Sequence, residues 1–407
     1  MAALLLVLLW IFVRWNLANV VALQLDPKSP DSRFIADWLT EFSPSDPRTH
    51  LLAAKVYESS FDANDLDRAV REYEFAASLS PHNYVMWLNL GRVRGLVGDA
   101  DGAFKAFERA LELAPNYSLV KWVYGNAFIR EGRTDEGFNL ISSAAASDPK
   151  YVRPAVLTAI QIFDGSVDEV RRSMGDTAAI NAGLAETLVS LDRPEEALDA
   201  WRRLSPEMMT GQFHDLGQKL QSKLIDLKRY RMASVVHAGI TTNKLSSVSE
   251  IVNGGFEEGV RLGSTNVFDW RISDGTHPQV GLSDGAKRSG QYSLLLAFNS
   301  FDTAGMRVID QVIAVEPATD YELEVFYRSD LRSDAVLKWE ISDASSSQRI
   351  AVSPITNAAE WTPLKLLFRS PETSDGIQLR LIREGCSGPA CPMSGRLLFD
   401  DISLRQL

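Results

Sequence analysis

Four prolines, Pro47, Pro81, Pro115 and Pro149, stand 34 residues apart, and the segments between them carry small and large residues at matching offsets. That spacing constrains the fold more than the composition does. A period of this length belongs to helix-turn-helix solenoids, in which each unit buries its apolar face only by stacking on its neighbours. Arrays of this kind bind partners and rarely catalyse.

The clearest unit covers residues 84–117. In it Trp87, Leu90, Gly91, Ala103, Phe107, Ala110 and Pro115 run large, large, small, small, aromatic, small and proline. The small residues let two helices cross closely, the large ones fill the space between helices, and Pro115 ends the second helix. The unit before repeats the pattern with Val56, Ala69, Tyr73, Ala76 and Pro81. The unit after does so with Tyr124, Gly125, Gly137, Ile141, Ala144 and Pro149. The pattern resembles the tetratricopeptide repeat family, which implies an all-α solenoid. Weaker copies occur at 183–204, with Leu184, Ala185, Leu188, Ala197 and Trp201, and at 216–240, with Gly217, Leu220, Ala233 and His237. The array is expected over residues 30–243. Its first helices line a concave groove, where the resemblance places Arg92, Trp122, Asn126 and Arg130 to receive a protein partner. The carboxylate clamp of some family members is missing, because Ala54, Leu88 and Glu58 occupy its Lys and Asn positions.

After Thr241 the apolar period changes from 3.6 to 2, and Gly, Ser and Asp become frequent. Tyr321, Leu323, Val325 and Tyr327 share one face of a strand; Ala335, Leu337, Trp339 and Ile341 alternate likewise, as do Ile377, Leu379 and Leu381. About ten such runs between turn-rich clusters predict an antiparallel jelly-roll β-sandwich over residues 249–407. The stretches Asn253-Gly-Gly-Phe-Glu257, Phe268-Asp-Trp270, Ser289-Gly-Gln-Tyr-Ser-Leu294 and Leu398-Phe-Asp-Asp-Ile-Ser-Leu404, with Trp361 before a strand, resemble carbohydrate-binding modules of families four and nine. The resemblance implies a glycan ligand stacked on aromatic rings. The candidates are Trp270, Phe298, Phe301 and Trp339, together with Phe268 and Tyr327; the other reading of most of these rings is packing in the core, in particular for Trp270 of the Phe-x-Trp stretch. It also implies a structural calcium at Glu257 and Asp400. Strict alternation puts Asp400 on the face of Leu398, Ile402 and Leu404, the core side, where a carboxylate needs a partner. Calcium, backbone amides or an arginine such as Arg396 would each serve.

A net charge of -11 opposes binding to nucleic acid or an anionic lipid surface by bulk electrostatics. The two cysteines, Cys386 and Cys391, flank a turn-rich stretch. They either close a loop disulfide, which persists in an oxidising compartment, or stay as two thiols. Residues 2–13 form an unbroken apolar run. As a helix it spans about 18 Å, short of a hydrocarbon core of roughly 30 Å. Extending it to residue 25 gives the length but places Arg14, Asn16 and Asn19 at membrane depth. Residues 1–25 are thus expected to be a signal or membrane anchor, with the protein membrane-tethered on the periplasmic or extracytoplasmic side; a first helix of the solenoid is the alternative. The five histidines lack zinc-site spacing, and no phosphate loop or Gly-x-Ser-x-Gly elbow occurs. Asp400 and Asp401, adjacent on a strand, point to opposite faces and make no glycosidase pair. The expected function is a non-catalytic scaffold: the array docks a protein and the sandwich holds a polysaccharide. The whole is similar to bacterial envelope proteins that accompany exopolysaccharide assembly or export. A protein-protein adaptor whose sandwich has no ligand is the rival expectation.

Overall fold

The computed structural model describes residues 2–60, 63–241, 249–264, 266–302, 306–386 and 390–407. Helices follow one another as far as Ile240 and strands begin at Arg271. The fold is an all-α tetratricopeptide-like solenoid followed by an all-β jelly-roll sandwich. The handover expected near residue 245 falls in residues 242–248, outside the described residues, as do Met1 and residues 387–389 of the cysteine turn. The chain divides into two compact units, Met1–Leu184 and Ala185–Leu407.

In the first unit α1 (Ala2–Gln24) and α2 (Ser32–Phe42) lead into α3 (Pro47–Glu58), α4 (Ala63–Leu79), α5 (Tyr84–Leu96), α6 (Ala100–Leu113), α7 (Ser118–Arg130), α8 (Thr134–Ser147), α9 (Val152–Ile162) and α10 (Val167–Met174). α3 pairs with α4, α5 with α6 and α7 with α8. Glycine sets the approach of the second and third pairs. A Cβ on Gly91 would lie 2.6 Å from the Phe107 ring, and one on Gly125 would lie 2.8 Å from the Gly137 carbonyl oxygen. Asn83 and Asp99 cap α5 and α6 by accepting from Val85 N and Gly102 N.

The first copy departs from the numerical period. Helix starts at Pro47, Tyr84, Ser118 and Val152 are spaced by 37, 34 and 34 residues. α4 is 17 residues long against 14 for α6 and α8. The extra turn pushes α3 back, so the fully buried Ala54 takes the place of Gly91. Pro47 accordingly opens α3, with Asp46 as its cap, whereas Pro81 and Pro115 sit in turns after helices.

The expected membrane anchor is overturned: among the described residues no helix is long and apolar enough to cross a membrane. The second half of α1 packs on the array instead. Ala18 is fully buried, and Val21, Ala22 and Leu25 pack against the same cluster as Ala36, Leu39 and Leu52. The polar residues find partners there: Asn19 donates to Asp46 (2.7 Å) and accepts from Arg48 (3.0 Å), while Arg14 lies 5.4 Å from the Phe42 ring centre.

α11 (Ala178–Ser190) contains the division at Leu184, and in the second unit α12 (Pro194–Arg202), α13 (Pro206–Thr210), α14 (His214–Asp226) and α15 (Tyr230–Ile240) precede the sandwich. One sheet orders β1 (Arg271–Ile272), β4 (Ile309–Ala314), β10 (Gly376–Glu384), β7 (Val336–Asp343) and β8 (Arg349–Pro354). The other orders β2 (Gln279–Ser283), β3 (Ser293–Asp302), β11 (Ala390–Gln406), β5 (Asp320–Ser329) and β9 (Ala358–Arg369), with the short β6 (Arg332–Ser333) beside β11. All the pairings within these sheets are antiparallel. One core between the sheets takes Ile309, Leu379 and Trp339 from the first and Leu296, Leu323 and Phe399 from the second. Cys386 and Cys391 are joined as a disulfide at its edge.

α15 belongs to this body. Its N-terminus is capped from the sandwich, with Asp375 accepting from Tyr230 N (2.9 Å) and Arg231 N (3.2 Å). The Tyr230 hydroxyl donates to the Ala344 carbonyl (2.8 Å), and its ring fills the space that a Cβ on Gly376 would need. Asn266 accepts from Gln221 of α14 (3.0 Å) and donates to His237 of α15 (3.0 Å).

Candidate functional site

Alternation along the five-stranded sheet turns Ile377, Leu379 and Leu381 into the core, leaving Gln378 and Arg380 on the outer side. Register then lines up one outer row across all five strands: Arg271, Asp310, Arg380, Glu340 and Val352. Asp310 is fully buried in this row. Its carboxylate accepts from Arg271 Nε and Nη2 (2.8 Å each), from Gln378 Nε2 (2.6 Å) and, at longer range, from Arg380 Nη2 (3.5 Å). Glu340 pairs with Arg349, which also reaches Glu384 (2.8 Å); Lys338 closes the chain on Glu384 at 2.5 Å. Hydrogen bonds from Lys338 and Arg349 hold the Glu384 carboxyl below the usual range. α15 covers one end of this face, where Val312 and Ala314 are buried beneath it. The remainder presents alternating donors and acceptors on a rigid sheet, an arrangement suited to hydroxyl groups.

The aromatic candidates fare differently. Trp270, Phe298 and Trp339 are corrected from sugar platforms to core: they are 3%, 6% and 0% exposed. Trp270 donates its indole N–H to the Asn253 carbonyl (3.2 Å), and the Trp339 ring packs 5.0 Å from Phe399. Phe268 and Tyr327 are buried as well. Phe301 is 79% exposed, but it stands at the end of β3, in the other sheet.

Glu257 and Asp400 converge on one loop. Asp400 Oδ2 accepts from Arg288 N (2.8 Å) and Ser289 N (3.2 Å), and Oδ1 from Asp401 N (2.8 Å). Both oxygens of Glu257 accept from Gln291 N at 2.9 Å. Burial pushes the Asp400 carboxyl up, against the pull of the amides of Arg288 and Ser289. The expected face of Asp400 is corrected. Leu397 and Phe399 point into the core, so Leu398 and Asp400 lie on the outer side, and a bulge after Asp400 returns Ile402 to the core. The same bulge, with Asp401 at φ 46°, brings both aspartates to one loop: Asp401 takes the Arg288 guanidinium and the Ser289 hydroxyl. The expected opposition of Asp400 and Asp401 therefore does not hold. Among the described residues no group of three His, Cys, Asp or Glu side chains is placed to hold a metal ion.

In the array, Trp122, Asn126 and Arg130 form an i, i+4, i+8 stripe along α7, and Arg92 is the counterpart of Asn126 on α5. The Trp122 ring stacks 5.2 Å from Tyr151, Asn126 donates to the Trp122 carbonyl (2.8 Å), and Arg130 is exposed. Arg92 is engaged internally: Glu58 accepts from Arg92 (2.6 Å) and from the Tyr73 hydroxyl (2.9 Å). The outer row of the sheet was missed by sequence reasoning. The alternation of β10 signals outward Gln378 and Arg380, but strand register is needed to bring Arg271, Asp310 and Glu340 beside them.

No family model matches the chain. Protein O-mannosyl-transferase TMTC1 of Mus musculus is 34% identical over 83 residues, which is 20% of this chain and 9% of that protein. Its Homo sapiens counterpart is 31% identical over 87 residues, covering 21% and 10%. The chain thus spans about a tenth of these relatives' length. Among solved structures, a family 4 carbohydrate-binding module is 18% identical and covers 39% of this chain and 99% of its own, with a TM-score of 0.29. TmCBM61 in complex with β-1,4-galactotriose is 17% identical, covers 41% and 100%, and scores 0.29. A MamA double mutant is 15% identical, covers 40% and 89%, and scores 0.32.

Proposed function

We propose that the chain is a non-catalytic scaffold whose sandwich binds a glycan on the outer side of its five-stranded sheet, while the helical array docks a protein. The observation that carries the reading is the cross-strand row around Asp310, in which buried and half-exposed charges are fixed in place before any ligand arrives. Preorganised polar groups of this kind recognise a polyhydroxylated ligand without an ordering cost. With Trp270, Phe298 and Trp339 buried and the exposed Phe301 in the other sheet, recognition on this face is polar. An exopolysaccharide is the ligand that the resemblance implies.

Calcium at Glu257 and Asp400 remains a proposal, and the ion would have to exchange with the amides that now face those oxygens. Isothermal titration with calcium tests it directly; absence of a binding heat removes it. For the sandwich, the full chain is screened on a glycan array in calcium and in chelator. Binding that Glu340→Ala weakens about tenfold or more, roughly 1.4 kcal/mol, supports the reading. Silence in both conditions overturns it and leaves the adaptor, which the burial of Trp270, Phe298 and Trp339 favours. For the array, Trp122→Ala with Arg130→Glu is expected to abolish co-purification of a protein partner that the unaltered chain retains.

A further inference from the structure

On the outer sheet face the charges are not all spent in the same way. Asp310 accepts its three shorter bonds from Arg271 and Gln378, and Glu340, the cross-strand neighbour of Arg380 on the other side, pairs with Arg349 instead. Arg380 stands between these two carboxylates in the middle strand, and among the described residues its polar partner is Asp310 alone, at 3.5 Å. Its side chain is 40% exposed, while its Nε is shielded from solvent with no acceptor. Lys338 and Arg349 flank it on the same side, so four cations face three carboxylates across Arg271, Asp310, Arg380, Glu340, Lys338, Arg349 and Glu384.

We infer that Arg380 reads a negatively charged group on a sugar, so that the ligand of this face is an acidic glycan. The inference rests on the glycan reading above and narrows its ligand class. A guanidinium with unspent N–H groups, held on a rigid strand and only weakly met by its own chain, takes a carboxylate or sulfate oxygen in a charge-assisted hydrogen bond. The overall charge of -11 does not supply this attraction; it comes from the local excess on the sheet, and it weakens with salt.

The test compares polygalacturonate, the galactan made by reducing its carboxyl groups, and a sulfated galactan, by affinity electrophoresis and calorimetry with the full chain. The expected result is binding of at least one acidic polymer ten-fold or more tighter than the reduced galactan, falling as salt rises. Preference for the uronate or the sulfate polymer identifies the charged group. Arg380→Gln is expected to remove that preference and leave weak binding of the reduced galactan in place. Equal binding of acidic and reduced polymers overturns the inference while the glycan reading stands; binding of none of them, together with silence on the array, removes both. The comparison of polymers on the unaltered chain decides the matter even where the variant fails to fold.

Discussion

His50 and His237 are both buried, and their imidazoles shift in opposite directions. Burial pulls His50 down, but its hydrogen bond to Glu72 at 2.5 Å and its contact with the Pro44 carbonyl at 2.8 Å outweigh this, and the net shift is upward from 6.5. Its contribution to stability is therefore full below about pH 6.5 and is lost as pH rises through the higher folded value. For His237 burial dominates over the Asp269 carboxylate, and the shift is downward. That contribution is present above about pH 6.5 and is lost as pH falls through the lower folded value. Hydrogen exchange followed by mass spectrometry between pH 5 and 8 reads the two sites separately. Protection of α3 should weaken toward pH 8 and that of α15 toward pH 5, and His50→Gln and His237→Gln should each flatten its own profile. Parallel profiles would show that neither histidine governs its helix.

Close contacts at glycine decide how elements meet. A Cβ on Gly125 meets the backbone of α8, which moves only if the helices part, so Gly125→Ala should cost about 1–3 kcal/mol in urea unfolding. Gly376→Ala would press on Tyr230, whose ring is held by its hydroxyl bond to Ala344, and should lower stability by a similar ~1–3 kcal/mol. Asp375→Ala removes the cap of α15 and should cost about 1 kcal/mol. An unchanged urea midpoint in any of these variants would mean that the contact relaxes without loss. The bulge in β11 acts at the same scale: one extra residue after Asp400 reverses which side chains face the core, and no residue type there announces it.

At the scale of the molecule, the helices from Ala185 onward and the sandwich make one compact unit, Ala185–Leu407. A fragment 185–407 is expected to unfold in a single transition, and a fragment 249–407 to melt several degrees lower, because Tyr230 and α15 then leave Val312, Ala314 and Gly376 uncovered. Equal melting temperatures would show that α15 adds nothing to the sandwich. The helical repeats and the strands were legible from the chain alone, since periods of 34, 3.6 and 2 are local and repeat often enough to be counted. Gly91, Phe107, Leu379 and Trp339 fall where those periods put core residues. Other outcomes were settled by partners distant in sequence. α1 lies on the array because Asn19 finds Asp46 and Arg48; Trp270 is core because Phe256 and Trp339 pack against its ring; Arg380 stands beside Asp310 and Glu340 because antiparallel pairing fixes which residues lie opposite. The sequence by itself determined the kind of each element and its buried stripe, because both depend on neighbours within a few residues. Only the tertiary structure decided register, the end of the sheet that α15 closes, and hence the charged row open to a ligand, because these depend on residues brought together from 39 to 145 positions apart.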